Sequence, residues 1–377
     1  MRRGRLEWSG GIFCAWNGPK VLKRHVYVIG GGVIGCGSAL ALAKAGTRVT
    51  LIERGVLGGE SSWAGAGLLS ALLPWQYPER VNRLLELGRA SYAAWADELR
   101  LASGIDPEYV RSGMLVLPPF DSVAATAWAR EYGQVVEVAP ACTRLPDISA
   151  DGPALWLPEV AQVRNPRLLQ ALRVALQRAG VTLVEHASAQ QLVLEGQRVI
   201  GVETPQGRIV ADDYVVAGGA WSSELLGELA PAMLLKPMRG QIVLLKGPAG
   251  RLPHIVYREG LYVIPRADGH ILIGSTLEDV GFDKSVTESA RTSLLAGARA
   301  LLPWLAELPV VAHWAGLRPG SPDNIPIIDR HPTVSNLYVN TGHYRYGVTM
   351  APASATLLAD RLMGRPSTIP TADYSWC

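Results

Sequence analysis

The stretch VYVIGGGVIGCGSALALAKAGTRVTLIER, residues 26–54, decides the fold of this 377-residue chain. An apolar β-branched run leads into three consecutive glycines, and a segment of small residues that is typical of a packed helix follows. A second apolar run, residues 49–52, ends at Glu53. This order of elements predicts a dinucleotide-binding βαβ unit, which consists of a strand, a glycine turn, a helix, a second strand and an acidic residue. A glycine-rich turn in an ordinary βαβ unit is the alternative.

Four residues of this unit have a specific expected role. Gly30 permits the tight turn, Gly32 lets the backbone approach a pyrophosphate, and Gly35 lets the helix pack close to the strand. The N–H groups at the N-terminus of the helix are then free to meet the anion. Glu53 is placed to accept hydrogen bonds from a ribose hydroxyl pair. The unit therefore predicts a bound adenine dinucleotide.

Composition narrows the class of protein further. A chain of this length can bury a substantial core, and two domains are expected. The net charge of +3 is small and spread out, which argues against a nucleic-acid partner. Four cysteines without a CxxC pair indicate free thiols in a reducing compartment, and we expect a cytoplasmic protein without a metal site. No apolar run approaches the roughly twenty residues of a membrane span.

The remaining sequence predicts a discontinuous domain arrangement. Residues 235–277 alternate apolar and polar side chains as strands do, whereas residues 337–363 read as a strand, a glycine turn and a small-residue helix that return to the first sheet. We therefore expect an α/β fold, α+β overall, in which a Rossmann-like domain is interrupted by a β-rich antiparallel substrate domain. The expected segments are 1–24 for a disordered extension or a misplaced start codon; 25–96, 155–234 and 321–377 for the dinucleotide domain; and 97–154 with 235–320 for the substrate domain.

Two segments favour FAD over a nicotinamide dinucleotide. A glycine- and serine-rich loop, residues 55–70, follows the βαβ unit, and the C-terminal segment 342–363 returns to it. A flavin ring lies extended between two domains and needs hydrogen-bond donors on its pyrimidine edge, which these segments can supply. A nicotinamide dehydrogenase remains the less favoured alternative.

Seven motifs carry a resemblance to a known family across residues 26–363. The pattern resembles the D-amino-acid oxidase superfamily of FAD-dependent amine oxidoreductases, and within it the glycine oxidases of the thiamine pathway. The motifs are, in order, IGGGVIG, SSWAGAGLL, GIDPEYVRSGMLVL, VVAGGAWSSEL, LYVIPRADGHILIGST, WAGLRPGSPDNIPIIDR and GHYRYGVTMAP.

The resemblance implies a reaction and a cofactor. A small amino acid would pass its α-hydride to flavin N5, and water and oxygen would then give glyoxylate, ammonia and hydrogen peroxide, with the imine feeding thiazole formation. The flavin itself carries this chemistry, so we assign no catalytic side chain. The FAD is expected to be non-covalent, because residues 316–360 contain no cysteine of the kind to which monomeric sarcosine oxidases attach flavin.

The family's cofactor contacts carry over residue by residue. They fall on the glycine turn, on the ribose acid and its neighbour, on the 55–70 loop, on an adenine-side position, on a second glycine turn, and on the segment at the flavin O2 edge. The residues are Gly30, Gly32, Val33, Ile34, Gly35, Glu53, Arg54, Ser61, Ser62, Ala66, Gly67, Leu68, Ala189, Gly219, His343, Tyr344, Arg345, Tyr346, Gly347, Val348 and Thr349.

Arg318 is the main substrate candidate. It lies in apolar sequence, where a charge is expensive unless it meets an anion, and a guanidinium grips a carboxylate through two parallel hydrogen bonds. An internal ion pair is the structural alternative. By resemblance, Tyr262 and Arg345 join Arg318 at the substrate, although Tyr262 could instead be a core ring. Leu68 lies beside the flavin ring, and Leu277 stands where relatives often have Met over the substrate, which puts a strict glycine preference in doubt.

Two functional alternatives stay open within flavin chemistry. The chain could be a D-amino-acid or sarcosine-type dehydrogenase that passes electrons to a quinone or a partner, or a flavoprotein subunit of an amine-oxidising complex. For the leading interpretation we expect a small amino-acid substrate, molecular oxygen and a homo-oligomer.

Overall fold

The computed structural model describes residues 23–150, 152–230 and 233–376. The expected N-terminal extension therefore lies outside the described residues apart from Lys23 and Arg24. Arg24 forms an ion pair with Asp213 at the start of a buried strand. None of the helices in this described part of the chain combines the length and apolar character needed to cross a bilayer.

The described residues form eight α-helices and twenty strands. The helices are α1 (Val33–Lys44), α2 (Ser61–Ala64), α3 (Glu79–Ser103), α4 (Ser122–Glu131), α5 (Asn165–Arg178), α6 (Ser222–Leu226), α7 (Glu288–Leu301) and α8 (Gly347–Met363). The strands are β1 (His25–Ile29), β2 (Arg48–Ile52), β3 (Leu68–Leu69), β4 (Val110–Arg111), β5 (Met114–Val116), β6 (Glu137–Pro140), β7 (Pro153–Leu157), β8 (Ala161–Gln162), β9 (Thr182–Val184), β10 (Gln191–Glu195), β11 (Arg198–Thr204), β12 (Gly207–Ile209), β13 (Asp213–Val216), β14 (Lys236–Lys246), β15 (Ile255–Arg258), β16 (Leu261–Pro265), β17 (His270–Gly274), β18 (Val310–Gly320), β19 (Ile327–Arg330) and β20 (Leu337–Thr341).

A six-stranded sheet forms the dinucleotide-binding half, in the order β19-β20-β13-β1-β2-β9. All neighbouring strands are parallel except the β19–β20 pair. Both faces of β1 are covered, which explains its continuous apolar sequence. Val26 and Val28 pack in one apolar cluster with α1, α5 and α8. Tyr27 and Ile29 pack in another with the small antiparallel sheet β10-β11-β12.

An eight-stranded sheet forms the second half, in the order β18-β14-β17-β16-β15-β5-β7-β6. It is antiparallel apart from the β5–β15 pair. Val243 and Ile273 pack against α7 on one face. Ile242 and Tyr262, of opposite parity, belong to a cluster with Ala66 on the other face. The second face is therefore turned toward the first half of the molecule.

The structure corrects two of the expected domain boundaries. The boundary at 96/97 falls inside α3, a continuous helix that packs against α5 and α8 and ends at Gly104 in the left-handed region (φ 77°). The boundary at 154/155 falls inside β7, which pairs with β5 and β6 in the eight-stranded sheet. The packing of α3 and the pairing of β7 therefore place these boundaries after residues 103 and 157. The joins near 235 and 320 coincide with the start of β14 and the end of β18.

Candidate active site

The glycine turn between β1 and α1 has no room for side chains. Gly30 has φ 112°, and a Cβ there would lie 2.4 Å from the carbonyl oxygen of Ala217. A Cβ on Gly35 would lie 1.8 Å from the carbonyl oxygen of Gly30, so α1 touches the turn backbone directly. The turn is closely packed on this side, and its Gly30 and Gly32 line the cleft at the N-terminus of α1, where an anion is favoured.

Glu53 is held at the end of β2 by backbone donors. Its Oε2 accepts a hydrogen bond from Gly31 N–H at 2.8 Å, and its Oε1 accepts one from Gly55 N–H at 2.9 Å. The carboxylate is thereby fixed beside the glycine turn, at the position expected for a ribose-binding acid.

A long cleft runs from this turn to Arg318, between the carboxyl ends of the parallel strands and the eight-stranded sheet. It has the shape required by an extended dinucleotide, and most of the predicted cofactor residues line it. Those that line it are Gly30, Gly32, Val33, Ile34, Glu53, Arg54, Ser61, Ser62, Ala66, Gly67, Leu68, Ala189, Gly219, His343, Tyr344, Arg345, Tyr346, Gly347 and Val348. Gly35 packs behind the turn. Thr349 does not line the cleft, and its hydroxyl donates to the carbonyl oxygen of Leu68 at 3.2 Å. Its contact with the cofactor stays a prediction.

The loop 61–68 is fixed by groups that sequence reasoning missed. Arg266, which directly follows β16, is 8% exposed. Its guanidinium donates to the carbonyl oxygen of Ala66 at 2.6 Å, to that of Val163 at 2.9 Å and to Oε1 of Gln162 at 2.6 Å. Burial lowers the pKa of Arg266 to about 10. The signal was an arginine immediately after an apolar strand, and its role is to position the loop beside the cleft.

His343 is a neutral structural residue of the C-terminal segment. Burial lowers the pKa of His343 to about 3, and its Nε2 lies 2.8 Å from the Ser354 hydroxyl. Gly347 and Val348, at the N-terminus of α8, line the cleft. The positive end of the α8 dipole therefore faces the cleft and favours negative charge there.

Arg318 and Tyr262 lie together at the far end of the cleft. Arg318 Nη2 donates to Ser275 Oγ at 2.6 Å, and Arg318 also interacts with the Tyr262 hydroxyl. Burial lowers the pKa of Arg318, and the neighbouring Arg345 charge acts in the same direction. Burial raises the pKa of Tyr262, so the phenol remains a hydrogen-bond donor at neutral pH.

Two glycines allow the Arg318 and Tyr262 side chains to pack directly against the sheet backbone. A Cβ on Gly240 would lie 2.1 Å from Arg318 Nη1 and 2.3 Å from Nη2, so the guanidinium lies directly on the Gly240 backbone. A Cβ on Gly274 would lie 2.6 Å from the Tyr262 hydroxyl, and Gly274 is the cross-strand partner of Tyr262. Gly240 and Gly274 were not predicted, because their role depends on strand register.

The substrate end carries positive charge without a carboxylate. Arg345 is exposed at the cleft, and among the described residues neither Arg318 nor Arg345 has an acidic side chain within ion-pair distance. The acids that line the cleft in the described chain are Glu53, Glu60 and Glu224. Glu53 and Glu60 belong to the glycine-turn end, and Glu224 follows Trp221 there. The opposite end is therefore suited to a small anion.

Leu277 lies beyond the end of β17. Its side chain is 45% exposed and it does not line the cleft, because β17 ends at Gly274 and the chain then leaves the sheet. Its expected place over the substrate stays a prediction. Leu68, by contrast, lines the cleft as predicted.

The glycine turn and the cleft define a dinucleotide-binding protein, and the arginine end of the cleft is suited to a small anion. The chain belongs to the FAD dependent oxidoreductase family, whose model matches residues 25–361. The residues present fit FAD: Gly30 and Gly32 of the turn line the cleft at the N-terminus of α1, and Ala66, Gly67 and Leu68 line it beside the first turn of α8, where Thr349 donates to Leu68.

Known relatives agree with this family. The chain is 45% identical to "Glycine oxidase" of Pseudomonas aeruginosa, covering 94% of this chain and 99% of the relative. It is 32% identical to "Bifunctional protein ThiO/ThiG" of Trichormus variabilis, covering 92% of this chain and 54% of that protein. The crystal structure of glycine oxidase from Geobacillus kaustophilus superposes with a TM-score of 0.89 at 29% identity, covering 94% of this chain and 99% of that one. The chain is accordingly an FAD-dependent enzyme of amine oxidation.

Proposed function

We propose that this enzyme oxidises glycine and other small amines, including sarcosine and small D-amino acids, with oxygen as the electron acceptor. One observation carries the proposal: Arg318, a partly buried arginine with no carboxylate partner among the described residues, lies at the end of a cleft that begins at a dinucleotide turn. The similarity to glycine oxidases over nearly the whole chain supports glycine as the leading substrate.

In this proposal the side chains bind and orient the substrate. The Arg318 guanidinium holds the substrate carboxylate with two parallel hydrogen bonds, and the Tyr262 hydroxyl donates a third. Ser275 fixes the guanidinium through its 2.6 Å contact to Nη2. Orientation of this kind replaces acid–base catalysis, because the reacting Cα–H bond needs only to be aimed at the acceptor.

Bound FAD supplies the chemistry by accepting the α-hydride of the amine and returning the electrons to oxygen, which gives an imine, then glyoxylate and ammonia, and hydrogen peroxide. The positive end of the α8 dipole favours negative charge in the part of the cleft that Gly347 and Val348 line. The FAD is held non-covalently, and the described residues that line the cleft include no cysteine.

We also propose that the imine product supplies thiazole formation in thiamine synthesis. Support comes from the relative whose printed name joins ThiO to ThiG, of which this chain matches about half the length. A cytoplasmic location and a homo-oligomer complete the proposal.

A substrate panel tests this function. Purified protein reconstituted with FAD is given glycine, sarcosine, D-alanine or D-proline, and peroxide is measured with no added acceptor. The matching product is measured beside it: glyoxylate from glycine and sarcosine, pyruvate from D-alanine, and the cyclic imine from D-proline. Peroxide in a 1:1 ratio to oxidised amine is expected. Turnover only with a quinone or dye would instead establish a dehydrogenase, and no turnover of any amine without another polypeptide would establish a complex subunit.

A further inference from the structure

A segment of the second half of the molecule packs against the outside of the cleft wall, at the end of the cleft where the glycine turn lies. This segment, residues 278–287, connects β17 to α7 and is called the buttress segment below. None of its residues lines the cleft. It nevertheless contacts two side chains that do, Trp221 and Glu60, and both of these hold Arg54.

Arg54 is held from two directions. Its guanidinium carbon lies 3.5 Å from the centre of the Trp221 ring, which is a cation–π contact. Its Nη2 donates to Glu60 Oε1 at 2.7 Å. Arg54 follows Glu53 at the end of β2, so these two contacts set the position of a positive charge beside the expected ribose and pyrophosphate.

The buttress segment contacts both of the side chains that hold Arg54, Trp221 and Glu60. The Phe282 ring stacks on the Trp221 ring, with centres 5.4 Å apart and planes inclined by 30°. Lys284 Nζ lies 3.0 Å from Glu60 Oε2 and 3.1 Å from Glu60 Oε1. Phe282 is 40% exposed, so its ring faces Trp221 on one side and solvent on the other.

The segment is itself tied to β14, the strand that carries Gly240. Arg239 is 4% exposed and donates from Nη1 to Asp283 at 2.6 Å, while Gln241 Nε2 donates to Glu278 at 2.9 Å. Arg239 and Gln241 flank Gly240 in the sequence. The segment is thus anchored at the strand that seats Arg318 and reaches the wall that holds Arg54.

We propose that the buttress segment retains FAD: Phe282 and Lys284 hold Trp221 and Glu60 in place, and these hold Arg54 against the ribose–pyrophosphate part of the cofactor. The role is one of positioning, because neither residue reaches the cleft. Loss of either contact releases one side of the Arg54 site and speeds departure of FAD. The inference rests on FAD binding and not on the identity of the amine.

The test measures FAD affinity directly, by titrating apo-protein with FAD and following the change in flavin fluorescence. Phe282→Ala is expected to raise the dissociation constant about three- to tenfold, the loss expected for one aromatic pair. Lys284→Gln is expected to raise it about two- to fourfold at low salt, and this difference should vanish near 1 M salt because the pair is half-exposed.

Two matched controls lie beside the tested residues. Val280→Ala removes an apolar side chain that is 41% exposed on the same segment, and Lys236→Gln removes an exposed pair between β14 and Asp279 of this segment that involves neither Trp221 nor Glu60. Neither control should change FAD affinity. Equal weakening by control and test variants would overturn the proposal.

A purely structural role for Phe282 gives a different result. Phe282→Ala would then lower the melting temperatures of apo-protein and FAD-bound protein equally, with an unchanged dissociation constant, and the proposal would be wrong. Retention predicts instead that the stabilisation added by FAD shrinks. It also predicts that Phe282→Ala costs nothing further in a Trp221→Leu background, whereas additive losses would refute it. Should Phe282→Ala fail to fold, the exposed Lys284→Gln variant decides the question alone.

Discussion

Replacing Gly240 by alanine should damage substrate binding and leave FAD binding intact. The new Cβ would lie 2.1, 2.3 and 2.4 Å from Arg318 Nη1, Nη2 and Cζ, well inside an ordinary contact distance. The guanidinium must therefore move by more than an ångström. A shift of that size breaks the parallel geometry that a carboxylate requires.

The size of the effect follows from the bond that is lost. A hydrogen bond to a charged group contributes about 1.5–3 kcal/mol, and each 1.4 kcal/mol is a factor of about ten. Losing one of the two guanidinium contacts should raise the KM for glycine roughly 10- to 100-fold, with a smaller change in kcat. Steady-state kinetics on the purified Gly240→Ala variant, together with FAD titration, provide the assay.

A matched control separates this effect from general crowding. A Cβ on Gly247, just beyond the end of β14, would lie 2.7 Å from the Leu308 side chain, far from the cleft. Gly247→Ala should cost stability and leave the KM unchanged. The reasoning is refuted if Gly240→Ala keeps the wild-type KM, or if it loses FAD instead of substrate.

Four further substitutions follow from the site. Gly35→Ala should abolish flavin binding, seen as loss of the yellow absorption, because its Cβ would lie 1.8 Å from the Gly30 carbonyl oxygen. Arg318→Ala should raise KM at least about 100-fold with FAD still bound, and loss of flavin would show that Arg318 serves the cofactor. Burial lowers the pKa of His343 from 6.5 to about 3, so below pH 6.5 the unfolded chain takes up a proton that the native protein does not. The free energy of unfolding therefore decreases as the pH is lowered from 6.5 toward 3. His343→Gln should flatten the accompanying decline in Tm, and a variant with the same dependence of Tm on pH as the wild type would contradict this. Arg266→Met should weaken FAD binding by loosening the 61–68 loop, and an unchanged dissociation constant would count against that role.

The local elements were predictable because their signals are local. The glycine turn needs small residues at fixed spacing, and the strand, glycine turn and helix predicted for residues 337–363 are present as β20 and α8, Gly347–Met363. The expectation that Arg318 meets an anion came from the cost of burying a charge. That argument needs only the apolar sequence around it.

The rest depended on register between distant strands. Gly240 seats Arg318 because β14 pairs with β18 so that Gly240 lies opposite Gly316, two residues from Arg318 on the same face. No local pattern in the sequence contains that pairing. The location of Leu277 likewise depends on the tertiary structure, because β17 ends at Gly274 and Leu277 lies beyond it with a side chain that is 45% exposed.

The interleaved order of the six-stranded sheet has a consequence for how the protein is made. β1 and β2 leave the ribosome before β20, which pairs with β13, and before the segment that closes the cleft. A nascent chain therefore carries a glycine turn whose cleft lacks a wall until residues 337–348 have been synthesised. A chain that stops before residue 337 is consequently not expected to bind added FAD.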